Sequence, residues 1–178
     1  AVDRDGTFLG LRATLDYPLG HWLPYSAAAP GKNAARCLPG PYVCGNVDIV
    51  LEGRPENTAP VGIYRGAGRP EAAMLMERLA DEAAHALGLD PAEIRRRNLI
   101  PADAFPYRMA TGSVLDSGDY PRLLDMAKER AGYDGAVRLL KERRAEGEVC
   151  GIGLAVYTEP CGQGWESAEV RLDPDGRI

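Results

Sequence analysis

A chain of 178 residues that is 45% hydrophobic and 26% charged has room for one or two compact domains with a real core. Its formal net charge of −5 and the lack of a long basic tract exclude a nucleic-acid-binding surface, and no apolar run approaches the length of a membrane span. Four cysteines, Cys37, Cys44, Cys150 and Cys161, are too few for a disulfide framework and lack metal-ligand spacing, so they read as reduced thiols in a cytoplasmic setting. The two histidines, His21 and His85, stand apart with no metal-ligand company.

Taken in order, Ala1 to Gly6 reads as the end of a strand and a tight turn into an alternating strand over 7–19, where Phe8, Leu9, Leu11, Ala13 and Leu15 are interrupted by polar residues. Pro18 and Gly20 close it. From His21 to Gly40 the composition fits either a short helix or an extended loop, and both stay open. Tyr42–Val43 and Val47–Glu52 supply a second, β-branched strand. A helix then runs from Pro70 to Leu87, with Met76, Leu79, Ala80, Ala83, Ala84 and Leu87 on its core side and Glu77, Arg78, Asp81 and Glu82 mostly on the other. Gly88 stops it.

Asp90, Pro91 and Glu93 have the form of an N-cap, a first-turn proline and a glutamate reaching back, which predicts a helix over 91–98. Residues 99–118 read as a loop, Pro121 to Ala131 as a helix broken by Gly132, and Ala136 to Ala145 as a charged helix facing solvent. Gly151–Tyr157 returns to strand, a bend at Gly162–Gly164 follows, and Ala168–Leu172 turns back at Asp173–Gly176. The expected class is α+β, two small β regions flanking three to four helices. Residues 1–69 form a β-rich segment ending in a glycine loop, 70–148 a helical segment, and 149–178 a truncated β hairpin. Incomplete hairpins at both ends are expected of an internal fragment of a larger subunit, and open strand edges favour a homodimer or aggregation.

The stretch from Gly62 to Glu71 is the organising one. Gly66 and Gly68 remove side chains where the backbone turns sharply or meets another group closely, and Pro70 suits a first helical turn. Free N–H groups there, with Arg65 and Arg69 beside them, favour an anion or the polar edge of a cofactor. A packed turn with no ligand has the same composition.

The wording of this stretch, Tyr64 to Ala72, together with Glu77 to Ala83, Asp90 to Ile100, Phe105 to Arg108, Thr111–Gly112, Asp116 to Pro121 and Gly151 to Leu154, resembles the molybdopterin-binding large subunit of the molybdenum hydroxylases. That family holds xanthine dehydrogenase, aldehyde oxidase and aerobic carbon monoxide dehydrogenase. The resemblance implies oxidative hydroxylation of an aldehyde or N-heterocycle by the full subunit. It implies a molybdenum–molybdopterin cofactor, in its cytosine dinucleotide form in some members, and partner subunits or domains carrying FAD and iron–sulfur centres. It places Tyr64, Arg65, Gly66 and Gly68 against the cofactor. Ala67, where xanthine-oxidising members have a stacking phenylalanine, faces the substrate pocket, which disfavours xanthine. Gly66–Ala67–Gly68 carries no thiol, which disfavours copper-dependent carbon monoxide oxidation.

After a one-residue shift of register, Tyr157 and Thr158 match the family's aromatic–hydroxyl pair on another pocket wall. The catalytic glutamate of the family lies downstream of this chain, so Glu166 reads as a solvated or structural carboxylate and no catalytic residue is expected here. The histidine-glycine-glutamine-glycine stretch that grips the pterin and the upstream glutamine loop are also missing, so the chain alone is expected neither to bind the cofactor tightly nor to turn over substrate. The alternative is a non-catalytic structural or interaction module that retains the fold.

Overall fold

The computed structural model describes residues 1–160, 165 and 167–177. Two long strands, β1 (Leu11–Gly20) and β2 (Val47–Pro55), pair in parallel, Leu11 opposite Val47 and Leu15 opposite Leu51. Parallel neighbours need a crossover, and this requirement settles the open segment: α1 (Ala29–Cys37) carries the chain across, with Pro30 in its first turn. Gly31 lets α1 lie on the sheet, since a Cβ there would stand 3.1 Å from Leu51 and 3.3 Å from the Tyr17 ring. The opposite face is polar, with Arg12 on Asp48 at 2.8 Å and Arg54 Nε on Asp16 at 2.9 Å.

The expected amino-terminal hairpin is reduced to one antiparallel bridge, Val2 to Phe8. Tyr42 belongs to no strand with β2 but bridges Leu99, next to a Val43 N–H that donates to the Asn98 carbonyl at 2.8 Å. After α2 (Arg69–Leu87) and α3 (Pro91–Asn98), the expected loop contains a two-residue hairpin, β3 (Tyr107–Arg108) with β4 (Val114–Leu115). The chain closes with α4 (Tyr120–Ala131) and α5 (Tyr133–Ala145), so α5 begins earlier than its apolar pattern predicts. The α+β class holds. Residues 151–157 and 168–172 form no strand, although the turn at Asp173 is made, Gly176 N–H donating to the Asp173 carbonyl at 2.8 Å. A strand is defined by its ladder, and none of the described residues offers these segments a partner. The expected bend at 162–164, and Glu166 and Cys161, lie outside the described residues.

One core of Leu11, Leu38, Tyr42, Cys44, Ala72, Met76, Leu99, Leu124 and Val156 joins sheet, helices and carboxy-terminal segment. Capping follows the sequence only in part. Asp90 accepts from Ala92 N–H at 2.8 Å and Glu93 N–H at 3.2 Å, but the Glu93 side chain turns forward to Arg97 at 2.8 Å instead of reaching back. Asn98 binds the amino terminus to α3, donating to the Gly6 carbonyl at 2.7 Å and accepting from Phe8 N–H at 2.7 Å.

The main departure concerns α2. Its buried residues are Ala72, Met76, Glu77, Ala80 and Ala84, while Leu79 is 49% exposed. Glu77, assigned to the solvent side by charge, is only 7% exposed because Arg95 of α3 enters the core to meet it. Arg95 is fully buried; its Nε donates to Glu77 Oε2 at 2.7 Å, its Nη1 to the Pro91 carbonyl at 2.9 Å, and its Nη1 pairs with Asp81 at 2.8 Å. The Tyr42 hydroxyl donates to Glu77 Oε1, and Val156 N–H donates to Oε2 at 2.9 Å. Burial opposes the charge of Arg95, but Glu77, Tyr42 and Asp81 together outweigh it and hold the guanidinium above its ordinary range. Burial and the same carboxylate push the Tyr42 phenol far above its ordinary 10.0.

Two expectations follow. Glu77→Ala leaves Arg95 buried without its main partner and lowers stability by about 3–5 kcal/mol in urea unfolding; a loss under about 1 kcal/mol would show that water replaces the carboxylate at little cost. Tyr42 and Tyr133, the latter pushed up to about 12 by burial and by Asp90, both keep their protons in the folded chain where the unfolded chain has lost them. Their contribution is whole below pH about 10 and is lost as pH rises beyond it. Urea midpoints should therefore fall between pH 10 and 12 and fall less steeply in Tyr42→Phe; equal slopes would assign the alkaline loss to other groups.

Candidate cofactor loop and substrate cleft

The loop that precedes α2 is two overlapping turns: Ala67 N–H donates to the Tyr64 carbonyl at 2.8 Å and Arg69 N–H to the Gly66 carbonyl at 3.1 Å. Successive left-handed residues make this possible, Gly66 at φ 92°, Ala67 at φ 43° and Gly68 at φ 93°. Ala67 is the one non-glycine residue with positive φ among the described residues, a conformation that costs an L-residue roughly 1–2 kcal/mol. It is held there from α1, whose Asn33 amide donates to the Ala67 carbonyl at 2.9 Å.

Gly68 is fixed by contact as well as by conformation. A Cβ at this position would stand 1.8 Å from the Pro30 carbonyl oxygen and 2.9 Å from Ala34 N, so the backbones of α1 and the loop touch. Tyr64 and Arg65 project into solvent, Gly66 and Ala67 are half-buried, and Gly68 is buried. Among the described residues the Gly66 and Gly68 N–H groups meet no acceptor.

Beside the loop lies a cleft of about 590 Å³ between α1, the start of α2, the β3–β4 hairpin and the carboxy-terminal segment. Its chemistry comes from Asn33, Cys37, Arg69, Ser113, Tyr157 and Thr158. Tyr157 and Thr158 both line the cleft, whereas Tyr64, Arg65, Gly66, Ala67 and Gly68 are not among its lining residues; Ala67 is linked to the cleft through Asn33. Arg69 Nη1 pairs with Glu159 at 3.3 Å, while its Nε is buried with no hydrogen-bond partner. Burial pushes the Cys37 thiol up, against the pull of Arg69 and Arg36, which leaves it protonated at neutral pH. Burial and Asp116 likewise raise Tyr120, which keeps its hydroxyl a donor on the far side of the cleft.

The sequence does not nominate Asn33 and Cys37, because it leaves α1 open, and it offers Arg69 only as one of two arginines beside the glycine loop, not as a cleft residue. The described residues contain no cluster of three or more histidine, cysteine, aspartate or glutamate side chains able to hold a metal ion, and no helix long and apolar enough to cross a membrane. The close approach at Gly68 has a direct test against Gly88, which has φ 65° but open space around its Cβ position. Gly88→Ala should lose about 1 kcal/mol and Gly68→Ala about 3 kcal/mol or more in urea unfolding; equal losses would mean that the loop relaxes away from α1.

Residues 1–99 match the model of the molybdopterin cofactor-binding domain. The chain is 31% identical to the 6-hydroxypseudooxynicotine dehydrogenase complex subunit gamma of Paenarthrobacter nicotinovorans, over 100% of this chain and 23% of that protein. It is 33% identical to the carbon monoxide dehydrogenase large chain of Hydrogenophaga pseudoflava, over 99% of this chain and 24% of that one. Among solved structures, quinoline 2-oxidoreductase from Pseudomonas putida 86 superposes with a TM-score of 0.75 at 30% identity, covering 82% of this chain and 19% of its own. A Cu,Mo-CO dehydrogenase superposes at 0.73 with 28% identity, covering 84% and 20%. The chain therefore spans about a quarter of the length of the curated relatives it matches. With the glycine loop, the start of α2 and the Asp90 cap all inside the matched span, the chain belongs to the molybdopterin cofactor-binding domain family of molybdenum hydroxylase large subunits.

Proposed function

We propose that this chain is a segment of the large subunit of a molybdenum-dependent hydroxylase or dehydrogenase, acting in the cytoplasm on an aldehyde or N-heterocycle. The observation that carries the reading is the loop at 64–68, whose bare backbone and unaccepted Gly66 and Gly68 N–H groups lie next to a polar cleft inside the matched cofactor-binding span. These features fit a polar, anionic cofactor edge: the two amide donors have no acceptor among the described residues, and Arg69 adds a buried donor without one.

In this reading Gly66 and Gly68 hold the cofactor through their N–H groups, Tyr64 and Arg65 flank it, and Ala67 leaves room on the substrate side. When bound, the molybdenum centre, carried by molybdopterin or its cytosine dinucleotide form, supplies two-electron oxidation chemistry. The residues of this chain bind and orient. The Tyr157 ring gives a small planar substrate an apolar wall, the Thr158 hydroxyl offers one polar contact, and Asn33 and Arg69 add hydrogen-bond donors. The cleft volume of about 590 Å³ suits a substrate of one or two rings. The base, the FAD and iron–sulfur partners and the remaining cofactor contacts come from outside these 178 residues. Reduced Cys37, Cys44 and Cys150, free in the structure, accord with a cytoplasmic subunit.

Metal analysis tests this. Purified from cells that make the cofactor, the 178-residue chain should carry no stoichiometric molybdenum, and a longer product with the downstream cofactor-gripping segment should carry about one atom and oxidise benzaldehyde or quinoline. Molybdenum in neither form would leave the family fold serving as a non-catalytic interaction module.

A further inference from the structure

The backbone between Gly151 and Thr158 forms neither helix nor strand, yet it delivers Tyr157 and Thr158 to the cleft. A segment without its own ladder takes its position from what it touches. Leu154 and Val156 provide depth by packing against the core. Register along the helix comes from a single polar contact: among the described residues, the backbone of 151–158 makes one hydrogen bond to the rest of the molecule, from Val156 N–H to Glu77 Oε2 at 2.9 Å.

The receiving carboxylate is itself immobile. Arg95 Nε lies 2.7 Å from the same oxygen, the Tyr42 hydroxyl donates to the other, and Arg95 is fixed in turn by Asp81 at 2.8 Å and the Pro91 carbonyl at 2.9 Å. The side-chain pair of Arg69 with Glu159 at 3.3 Å is partly solvated and long, so it restrains the backbone less. We propose that Glu77 is a positioning residue for the cleft, holding the Val156 amide so that the next two side chains, Tyr157 and Thr158, are presented to substrate. This rests on the reading of Tyr157 and Thr158 as a substrate wall. The buried ion pair then has a role besides joining α2 to α3: it transmits the placement of the helices to one face of the cleft.

The test separates anchoring from general stability. The triple variant Tyr42→Phe, Glu77→Met, Arg95→Met replaces the buried polar group by apolar side chains of similar size, a change that core packing tolerates, and removes the acceptor for Val156. In the purified chain, exchange of the Val156 amide and chymotryptic cleavage after Tyr157 should then both accelerate about tenfold or more while α2 and α3 keep their protection. Unchanged cleavage after Tyr157, or faster exchange shared equally by α2, overturns the proposal. Should the triple variant not fold, Val156→Pro removes the donor and leaves the ion pair intact; chymotrypsin is expected to cut after Tyr157 about tenfold faster with the circular dichroism of the helices unchanged, and an unchanged cleavage rate also overturns the proposal.

In the longer, molybdenum-loaded product, the triple variant should raise KM for benzaldehyde about tenfold with a smaller change in kcat. Faster exchange with an unmoved KM would leave Glu77 as the anchor and overturn the assignment of Tyr157 and Thr158 as the substrate wall.

Discussion

The buried contact between Glu77 and Arg95 is the constraint on which the rest of the arrangement depends. Taking two charges out of water is unfavourable, and a pair survives in a core only where hydrogen bonds satisfy its remaining donors and acceptors. Here they do: Tyr42 and Val156 donate to the carboxylate, and Asp81 and the Pro91 carbonyl accept from the guanidinium. These partners come from the connection before β2, from α2, from α3 and from the carboxy-terminal segment, so the requirement to satisfy one ion pair fixes four separate parts of the chain relative to one another. An apolar contact of the same size would bind them as firmly but would tolerate sliding, because dispersion has no direction.

The loop at 64–68 and the cleft beside it are built in a different way. The loop is shaped by backbone conformation: positive φ at three successive residues, a Gly68 with no room for a side chain, and an Asn33 amide that secures the Ala67 carbonyl. Strain held by surrounding structure in this manner is typical of sites that must present backbone groups in one geometry. The cleft, in contrast, is an assembly of elements far apart in sequence. Arg69 opens α2, Asn33 and Cys37 lie on α1, and Tyr157 and Thr158 arrive on a segment that has no regular structure of its own.

How much of this was legible depends on whether the signal is local. The α2 start at Arg69 and Pro70, its stop at Gly88, the Asp90 cap of α3 and the turn at Asp173 follow from residues within one turn of each other. So does the glycine loop, whose composition demanded a tight backbone. Glu77 was misplaced because periodicity sorts residues by polarity and assigns a carboxylate to solvent; its burial depends on Arg95, eighteen positions away on another helix. The strands expected near 151–157 and 168–172 failed for a related reason. Alternation marks a segment able to join a sheet, but the described chain supplies no neighbour for it to join.

By itself, then, the sequence determined the helix starts and stops, the glycine loop, the α+β class and the family, since caps, glycines and motif wording act over a few residues and need nothing else to be read. Only the tertiary structure decided that β1 and β2 run parallel, which in turn made residues 29–37 a helix, and that Glu77 and Arg95 meet inside the core. It alone also placed Tyr157 and Thr158 in the same cleft as Arg69. Each of these depends on which distant groups can satisfy one another's hydrogen bonds and charges once water is excluded, and that pairing is a property of the folded chain as a whole.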